Sequence, residues 1–367
     1  MRDRGPASAD DRRRASNALF EGRGARPGRI GGEVSEQPLL SVTDLRVEYP
    51  GVGFRAAPFV AVDGVSFEVQ PGETVGLVGE SGSGKSTVGR AILGLAPAAS
   101  GKIVFGGHDI THRTAKIQKS VSRYLQVIFQ DPYSSLNPAR TVGRTMTEPL
   151  EIQGGLTKDS AISTVSELLN SVGLPEDASD RYPPSFSGGQ RQRIAIARSL
   201  SIQPQLIICD EAVSALDLVT RAQVLNLLDD LQQEHAFGYL FIAHDLPIVT
   251  HVSQRTLVLY RGRIMEQGPA AEVHTNPLHP YSQMLLAAVP VANPTVQRQR
   301  RNERRATSIS TGQAKSAPLD GCPFAPRCPK AMDPCWTSRP AAVRVEQRIV
   351  ECHLYSPSVN NQKGETP

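Results

Sequence analysis

A glycine-rich segment at residues 79–86 has the residue types and spacing of a phosphate-binding loop. It reads GESGSGKS, in which two glycines separated by four residues precede a lysine and a hydroxyl residue. Glycines allow backbone N–H groups to turn towards an anion, and a helix that begins near Lys85 would direct the positive end of its dipole there. Lys85 is expected to reach the β- and γ-phosphates of a nucleotide, and the Ser86 hydroxyl is expected to bind Mg²⁺.

The alternative for this segment is a glycine-rich turn with a surface lysine. The short apolar run at 74–78 and the helical pattern after Lys85 are the context that a P-loop requires, so the sequence favours a nucleotide site. The residues expected to contact the nucleotide here are Gly79, Ser81, Gly82, Ser83, Gly84, Lys85, Ser86 and Thr87.

Two adjacent acids follow a second apolar run. Asp210 and Glu211 come directly after residues 206–209, and ligands of α/β proteins bind where such strands end. Asp210 is expected to complete the Mg²⁺ shell, and Glu211 could accept a proton from an attacking water. The alternative is a pair of acids at a helix N-terminus, stabilised by the helix dipole.

A serine and two glycines open a basic helix at Ser187-Gly188-Gly189-Gln190. Their backbone N–H groups predict a second anion site. The alternative is an ordinary serine N-cap. The position of these residues, about a hundred residues after the P-loop and shortly before the two acids, favours the anion site.

The elements that must hold these residues alternate between strands and helices. Strands alternating with helices around a glycine-rich turn predict a parallel α/β sheet. Strands are predicted near 40–47, 60–69, 74–78, 206–209 and 239–243, a helix near 222–231, and a strand pair followed by a small helix within 257–275.

Composition and charge limit the classes of protein. The chain has 367 residues, of which 40 are basic and 36 acidic, and a net charge of +4 is too mild to argue for nucleic-acid binding. No apolar run is long enough to span a bilayer, and the N-terminus lacks the apolar stretch of a secretory signal. A cytoplasmic protein that reaches a membrane only through a partner is therefore expected. The predicted organisation is a disordered tail at 1–37, a main domain at 38–291 with a helical subdomain at about 115–200, a linker at 292–317, a Cys-rich motif at 318–357 and a tail at 358–367.

The order of these motifs resembles that of the ATP-binding-cassette (ABC) ATPases. One departure is Phe186, where leucine is commoner in the family. The resemblance implies a P-loop NTPase core with a parallel sheet, an antiparallel β subdomain, a helical subdomain and a small Cys-rich C-terminal extension. The matching motifs are the P-loop at 79–86, Gln130, Ser187 to Gln190, Asp210-Glu211, Ser214-Ala215-Leu216-Asp217 and His244.

The resemblance also implies roles for single residues in a head-to-tail dimer. ATP would lie between the P-loop of one subunit and the signature helix of the other, which is the helix that begins after Ser187. Gln130 would sense Mg²⁺ and the attacking water, and His244 would contact the γ-phosphate and hold Glu211. Tyr49 is similar to the aromatic that stacks on adenine, although Phe54 and Phe59 compete for that role. The residues implied to contact nucleotide across the dimer are Ser187, Gly188, Gly189, Gln190 and Asp217.

Three further stretches are similar to the ATPase subunits of bacterial dipeptide, oligopeptide and nickel importers. They read DPYSSLNP at 131–138, NPLHPY at 276–281 and CPFAPRCP at 322–329, and the similarity covers roughly 38–357. It implies attachment to the cytoplasmic face of the inner membrane, with two permease subunits, a second identical or related ATPase and an extracytoplasmic solute-binding protein. The alternatives are an exporter ATPase or a non-transport ABC ATPase of DNA repair or translation.

The last four cysteines need a separate interpretation. Reducing conditions in the cytosol disfavour disulfides, and the spacing lacks the paired CxxC of most zinc sites. The resemblance to the dipeptide-transporter family implies a [4Fe–4S] cluster, with zinc and free packed thiols as the alternatives. The cysteines concerned are Cys322, Cys328, Cys335 and Cys352, whereas Cys209 is expected to be a small buried hydrophobic residue.

Overall fold

The computed structural model describes residues 37–51, 53, 57–153, 157–289, 298 and 320–356. The predicted tails and linker therefore lie outside the described residues, apart from residues 37 and 298. Within the described ranges, no helix is both long enough and apolar enough to cross a membrane. The strands are β1 Leu40–Tyr49, β2 Phe59–Val69, β3 Thr74–Val78, β4 Ser100–Phe105, β5 His108–Asp109, β6 Leu125–Ile128, β7 Leu206–Asp210, β8 Gly238–Ala243, β9 Arg255–Tyr260, β10 Arg263–Pro269, β11 Ala342–Val345 and β12 Arg348–Glu351. The α-helices are α1 Lys85–Ile92, α2 Ala115–Val121, α3 Pro132–Ser135, α4 Val142–Gln153, α5 Lys158–Ser171, α6 Gly188–Leu200, α7 Leu218–His235, α8 Leu246–Val252, α9 Ala270–Thr275, α10 Pro280–Ala288 and α11 Pro334–Thr337.

The main sheet has eight strands in the order β11-β12-β10-β9-β3-β8-β7-β6. Strands β9, β3, β8, β7 and β6 run parallel, as the sequence predicts, but β10, β11 and β12 pair antiparallel, so the sheet is mixed. The chain reverses between β9 and β10 because Arg261 and Gly262 both have positive φ, 47° and 78°. Two such residues in a row form the tight turn that suits the twist of a hairpin.

The central strands are buried on both faces. Every residue of β3 and β8 is buried, as are the first four of β7, which explains their continuous apolar character. Helix α8 packs so closely on β3 that a Cβ on Gly76 would lie 2.0 Å from the Val249 side chain. The ends of these strands are therefore fixed by packing on both sides.

A second sheet forms the antiparallel β subdomain, with the order β2-β1-β4-β5. Strands β1 and β2 pair from Leu40 and Val69 to Tyr49 and Phe59. The apolar residues of this sheet share one core cluster with α1 and the main sheet, so the subdomain packs over the start of α1.

The range predicted as mostly helical, about 115–200, contains a strand of the main sheet. Strand β6 pairs parallel with β7, with Val127 opposite Ile208. Helices α4, α5 and α6 beyond it contribute to one core cluster, with Met146, Leu168 and Ile194 as members from the three helices. The segment after β6 therefore connects the main sheet to the helical region.

The C-terminal residues do not form the separate small extension that the family resemblance implies. Instead β12 pairs with β10, with Val350 opposite Glu266, and β11 pairs with β12, so the hairpin extends the main sheet. Glu266 is fully buried and accepts the backbone N–H groups of Leu278 at 2.8 Å and His279 at 2.9 Å. The hairpin joins there because β10 would otherwise be an unpaired edge strand.

Candidate functional site

The glycine-rich segment forms a tight loop between β3 and α1. A Cβ on Gly79 would lie 2.1 Å from the carbonyl oxygen of Leu259, and one on Gly84 would lie 2.4 Å from that of Ala61. Gly84 also has a φ of +104° immediately before the first residue of α1. Because backbone atoms cannot move aside as side chains do, both positions require glycine. Ser81 is exposed, and Thr87 is half-buried on α1. The buried Ser83 hydroxyl has no hydrogen-bond partner among the residues that the structure describes.

Lys85 is buried at the start of α1, and its ammonium group folds over the loop. The Nζ atom donates to the carbonyl oxygens of Gly79 and Glu80, each at 2.9 Å. Burial lowers the pKa of Lys85, while the negative charges of Glu211, Asp210 and Glu80 act in the opposite direction. The lysine therefore lies within electrostatic reach of both predicted acids.

The serine after this lysine contacts the first acid directly. The Ser86 hydroxyl donates to Oδ1 of Asp210 at 2.8 Å, although the two residues are 124 positions apart. Asp210 ends β7, and Ser86 belongs to the first turn of α1. A hydroxyl and a carboxylate oxygen side by side are the hard oxygen ligands that Mg²⁺ takes, so this pair fits the expected ion.

Glu211 and His244 also come together, at the ends of neighbouring strands. Glu211 has a φ of 52°, and its N–H donates to the carbonyl oxygen of Ile242 at 3.0 Å, which fixes this unusual conformation. Its Oε2 lies 3.8 Å from Nδ1 of His244. The histidine side chain is 58% exposed and the glutamate 20%, so the imidazole faces solvent beside a largely covered carboxylate.

Gln130 is exposed just after β6 and shares a cleft of about 550 Å³ with Asp210. On one side the cleft is closed by the segment around α3, which Arg198 holds by donating to the carbonyl oxygen of Ser135 at 2.6 Å. The glutamine is thus placed between the main sheet and the helical region. The lining residues are Arg90, Gln126, Val127, Phe129, Gln130, Asp131, Ser135, Ala195, Arg198, Ser199 and Asp210.

Ser187 forms the N-cap of the signature helix α6. Its hydroxyl accepts the N–H of Gln190, and the Gln190 side chain accepts the N–H of Ser187, so the two form a capping box. This capping box fixes the start of the helix, and the anion site at this helix end stays a prediction. Ser187 is exposed, and a Cβ on Gly188 would meet no atom of the described residues within 4 Å, so no described residue covers this position.

Asp217 lies next to this helix end, as the N-cap of α7. It accepts the N–H groups of Val219 and Thr220 at 3.1 and 3.0 Å, and the Thr220 hydroxyl at 2.6 Å. The hydrogen bonds from Thr220 lower the pKa of the Asp217 carboxyl group. Gly189 packs against Thr220, since a Cβ there would lie 2.3 Å from the threonine methyl group. The two N-caps therefore form one surface.

Tyr49 is half-buried at the end of β1, opposite Phe59, whose exposed fraction is 62%. Phe59 lies two residues before Ala61, whose carbonyl oxygen would lie 2.4 Å from a Cβ on the phosphate-loop glycine Gly84. Both aromatic residues are thus close in sequence or by strand pairing to a residue beside the loop, and the more exposed one is Phe59. Phe54 lies outside the described residues.

Two side chains of the C-terminal half contact the loop residue Glu80, and neither contact was predicted. The backbone N–H of Glu80 donates to the Tyr281 hydroxyl at 2.9 Å, and Arg327 holds the Glu80 carboxylate with two hydrogen bonds of 2.8 Å. Both residues belong to stretches that resemble peptide importers, but their sequence gives no sign of contact with the loop.

The four C-terminal cysteines lie in one region. The N–H of Cys322 donates to the carbonyl oxygen of Cys335 at 2.8 Å, and burial raises the pKa of Cys322 and of Cys352 to about 11. Over the described ranges, however, no three Cys, His, Asp or Glu residues form a group that could hold a metal ion. The expected [4Fe–4S] cluster and its zinc alternative are therefore unsupported. Cys322, Cys335 and Cys352 are buried, and Cys328 is half-buried. Cys209 is fully buried in β7, as expected.

Two known families match the sequence. The ABC transporter family matches residues 62–214, and the C-terminal region of oligopeptide/dipeptide transporters matches residues 265–335. An oligopeptide transport ATP-binding protein of Bacillus subtilis is 44% identical over 330 residues, covering 88% of this chain and 99% of the relative. The dipeptide transport ATP-binding protein of Escherichia coli is 41% identical over 333 residues, covering 89% of this chain and 98% of the relative.

Solved structures agree with these matches. A dimeric ATP-binding cassette in a post-hydrolysis state bound to ADP and Pi superposes with a TM-score of 0.57 at 25% identity, covering 63% of this chain and 98% of that one. A component of an ABC transporter complex from Clostridium perfringens gives 0.60 at 25% identity, covering 72% and 100%. The fold, the motifs and the near full-length relatives lead to one conclusion: the chain belongs to the ABC transporter ATPases, in the group of peptide-import ATP-binding proteins.

Proposed function

We propose that this protein is the ATP-binding and ATP-hydrolysing subunit of an ABC importer that takes up dipeptides or oligopeptides. The observation that carries the proposal is the meeting of Ser86 and Asp210 at 2.8 Å beside the buried Lys85. These groups belong to different elements, and their convergence is the arrangement that holds a nucleoside triphosphate.

The triphosphate is bound by the glycine loop. Lys85 turns from the carbonyl oxygens of its own loop to the β- and γ-phosphates, which replace them as partners with full negative charge. Ser86 and Asp210 hold Mg²⁺, which neutralises phosphate charge when bound. Tyr49, with Phe59 opposite it, forms the aromatic side of the adenine site.

Glu211 acts as the general base for hydrolysis. The backbone hydrogen bond to Ile242 fixes the residue, and the 20% exposure of its side chain leaves a carboxylate that water can reach. His244, 3.8 Å away, orients this carboxylate and contacts the γ-phosphate, while Gln130 faces the same cleft as Asp210. Glu211 takes the proton of the attacking water, and the products are ADP and phosphate.

A second ATPase subunit completes the site. The exposed N-caps Ser187 and Asp217 lie on one surface, and open space surrounds the Cβ direction of Gly188. The end of α6 therefore has free room for the phosphates of a nucleotide held by a neighbouring copy or paralogue. The dimer closes when both nucleotides are bound.

Closure of the dimer drives a membrane permease. The cleft beside Gln130 joins the nucleotide site to the helical region, and Phe129 at its edge is 40% exposed. Two permease subunits dock on this side, at the cytoplasmic face of the inner membrane, and an extracytoplasmic binding protein delivers the solute. The names of the relatives support peptides as that solute.

Two substitutions and one control test the proposal. Lys85→Ala should weaken ATP binding by about tenfold to a hundredfold, because charge-assisted hydrogen bonds are lost. Glu211→Gln should retain binding and lower hydrolysis by at least about a hundredfold, because the general base is lost. Glu148→Gln, which breaks the exposed pair with Arg140, is the control and should change neither.

The assays are nucleotide affinity, phosphate release and ATP-dependent uptake of labelled dipeptide into vesicles that contain the permease. Normal hydrolysis by either Lys85→Ala or Glu211→Gln would contradict the assigned roles. Export in place of uptake would contradict the importer assignment while leaving the ATPase assignment intact.

A further inference from the structure

The second residue of the phosphate loop, Glu80, is held on all its polar groups. Its N–H donates to the Tyr281 hydroxyl at 2.9 Å, and its carbonyl oxygen accepts from Lys85 at 2.9 Å. Its two carboxylate oxygens each accept a 2.8 Å hydrogen bond from Arg327. The carbonyl oxygen also accepts the N–H of Ser83 at 3.1 Å. Tyr281 and Arg327 come from the C-terminal half of the chain.

Arg327 is mounted on a rigid support. It ends a 3-10 turn, Ala325–Arg327, in which its own N–H donates to the carbonyl oxygen of Phe324 at 2.9 Å. Phe324 is 1% exposed and packs against Tyr260 and Tyr281, with ring centroids 5.3 and 5.4 Å away. A guanidinium fixed at its base can hold a carboxylate bidentately without ordering a long flexible segment first.

The charge of Glu80 bears on nucleotide binding. Its carboxylate interacts electrostatically with Lys85 and with Arg261, in addition to Arg327. An unpaired carboxylate in this position would oppose a triphosphate bound at the same loop. The bidentate contact with Arg327 offsets that charge.

We propose that Arg327 is a positioning residue for nucleotide binding, which neutralises Glu80 beside the phosphate-binding lysine and so raises the affinity for ATP. This inference rests on the proposed ATP site. The turn at Ala325–Arg327 would then have two roles. It follows Phe324, which packs against Tyr260 and Tyr281, and it carries the guanidinium that neutralises Glu80.

Opposite changes in KM on neutralising Arg327 and on neutralising Glu80 would separate this role from a structural one. Arg327→Gln should raise KM and the dissociation constant for ATP by about threefold to tenfold, with kcat within about twofold, since a net charge close to the phosphates is changed. Glu80→Gln should have the opposite sign and lower KM, since it removes a negative charge and keeps Arg327. The double variant E80Q/R327Q should return close to the wild-type value. If the pair served only as a brace, both single variants would weaken binding and the double variant would not recover.

Arg339→Gln is the matched control. Arg339 lies on the same C-terminal segment, is 43% exposed against 44% for Arg327, and pairs with Asp63 at 2.8 Å instead of a loop residue. It should leave KM unchanged. The measurements are steady-state ATP hydrolysis and equilibrium Mg-ATP binding, with the thermal unfolding midpoint recorded for each variant.

The outcomes are decisive even if Arg327→Gln folds poorly. The comparison of E80Q/R327Q with E80Q and with the wild type then carries the test, because removal of both charges restores the net charge beside the phosphates. The double variant should bind ATP more weakly than E80Q and about as tightly as the wild type. Equal KM for wild type and Arg327→Gln, or a double variant as weak as Arg327→Gln, would overturn the inference and leave the proposed function standing. Failure of the wild-type protein to bind ATP would overturn the proposed function itself and the inference with it.

Discussion

Substitution of Gly189 by alanine tests whether the signature helix is held against α7 by the absence of a side chain. The added Cβ would lie 2.3 Å from the Thr220 methyl group, more than an ångström inside ordinary contact. Thr220 cannot turn away freely, because its hydroxyl donates to Asp217 at 2.6 Å. We expect Gly189→Ala to cost about 2 kcal/mol, within the usual range for an overpacked site.

The methyl group of Thr220 is the feature that should cause this loss. Thr220→Ser removes that methyl group and keeps the hydroxyl that Asp217 accepts. The double variant G189A/T220S should therefore recover most of the lost stability, a coupling that a double-mutant cycle measures. In thermal unfolding, about 2 kcal/mol corresponds to a fall in the midpoint of roughly 4–8 °C for a domain of this size.

Gly188→Ala is the control for stability, because a Cβ there meets nothing within 4 Å. It should unfold within about 1 °C of the wild type apart from the small effect of helix propensity. The reasoning would be refuted if Gly189→Ala were as stable as the wild type. It would also be refuted if Thr220→Ser gave no recovery, since the contact that explains the loss would then not be its cause.

Two further predictions concern the C-terminal hairpin and the charges around it. Glu266→Gln should lower the free energy of unfolding by about 3 kcal/mol, because this fully buried carboxylate accepts two backbone N–H groups and lies 4.0 Å from Arg348. Glu272→Gln, at a more exposed partner of the same arginine, is the control in thermal unfolding. An equal effect of both substitutions would contradict the prediction. Burial raises the pKa of Asp63, but the guanidinium groups of Arg339, Arg263 and Arg46 outweigh it and hold the pKa below its usual value. The contribution of these ion pairs to stability is therefore present above about pH 4 and is lost as the pH falls through the lowered pKa of Asp63 in the folded protein. Unfolding midpoints should fall less steeply from pH 6 to pH 3 in Asp63→Asn than in the wild type. An unchanged slope would count against the ion pairs.

The chemistry of the nucleotide loop could be predicted from sequence because each part is local. Gly79 and Gly84 lie within one short segment, and their need for glycine follows from the spacing alone. The position of Asp210 at the end of β7 could be predicted because an apolar run ending in an acid indicates a strand end, and strand ends of a parallel sheet lie together. The contact between Ser86 and Asp210 follows from these two local patterns.

The mixed sheet could not be predicted in the same way. Strands β11 and β12 have four residues each, and arginine and glutamate interrupt their apolar pattern. Their place beside β10 depends on a free strand edge formed about eighty positions earlier in the chain, which no local period reveals. For the same reason the sequence predicts a small separate motif here in place of the hairpin.

The contact between Arg327 and Glu80 shows how far this limit extends into the functional site. The two residues are 247 positions apart and lie in regions that two different family matches cover, 62–214 and 265–335. The Tyr281 hydroxyl and the Arg327 guanidinium both contact Glu80. Phe324 packs against the Tyr281 ring and directly precedes the turn that ends at Arg327. A movement of the C-terminal region would therefore break or alter the hydrogen bonds that hold Glu80. The nucleotide loop and the C-terminal region are therefore in direct contact, and we expect the affinity for ATP to depend on both.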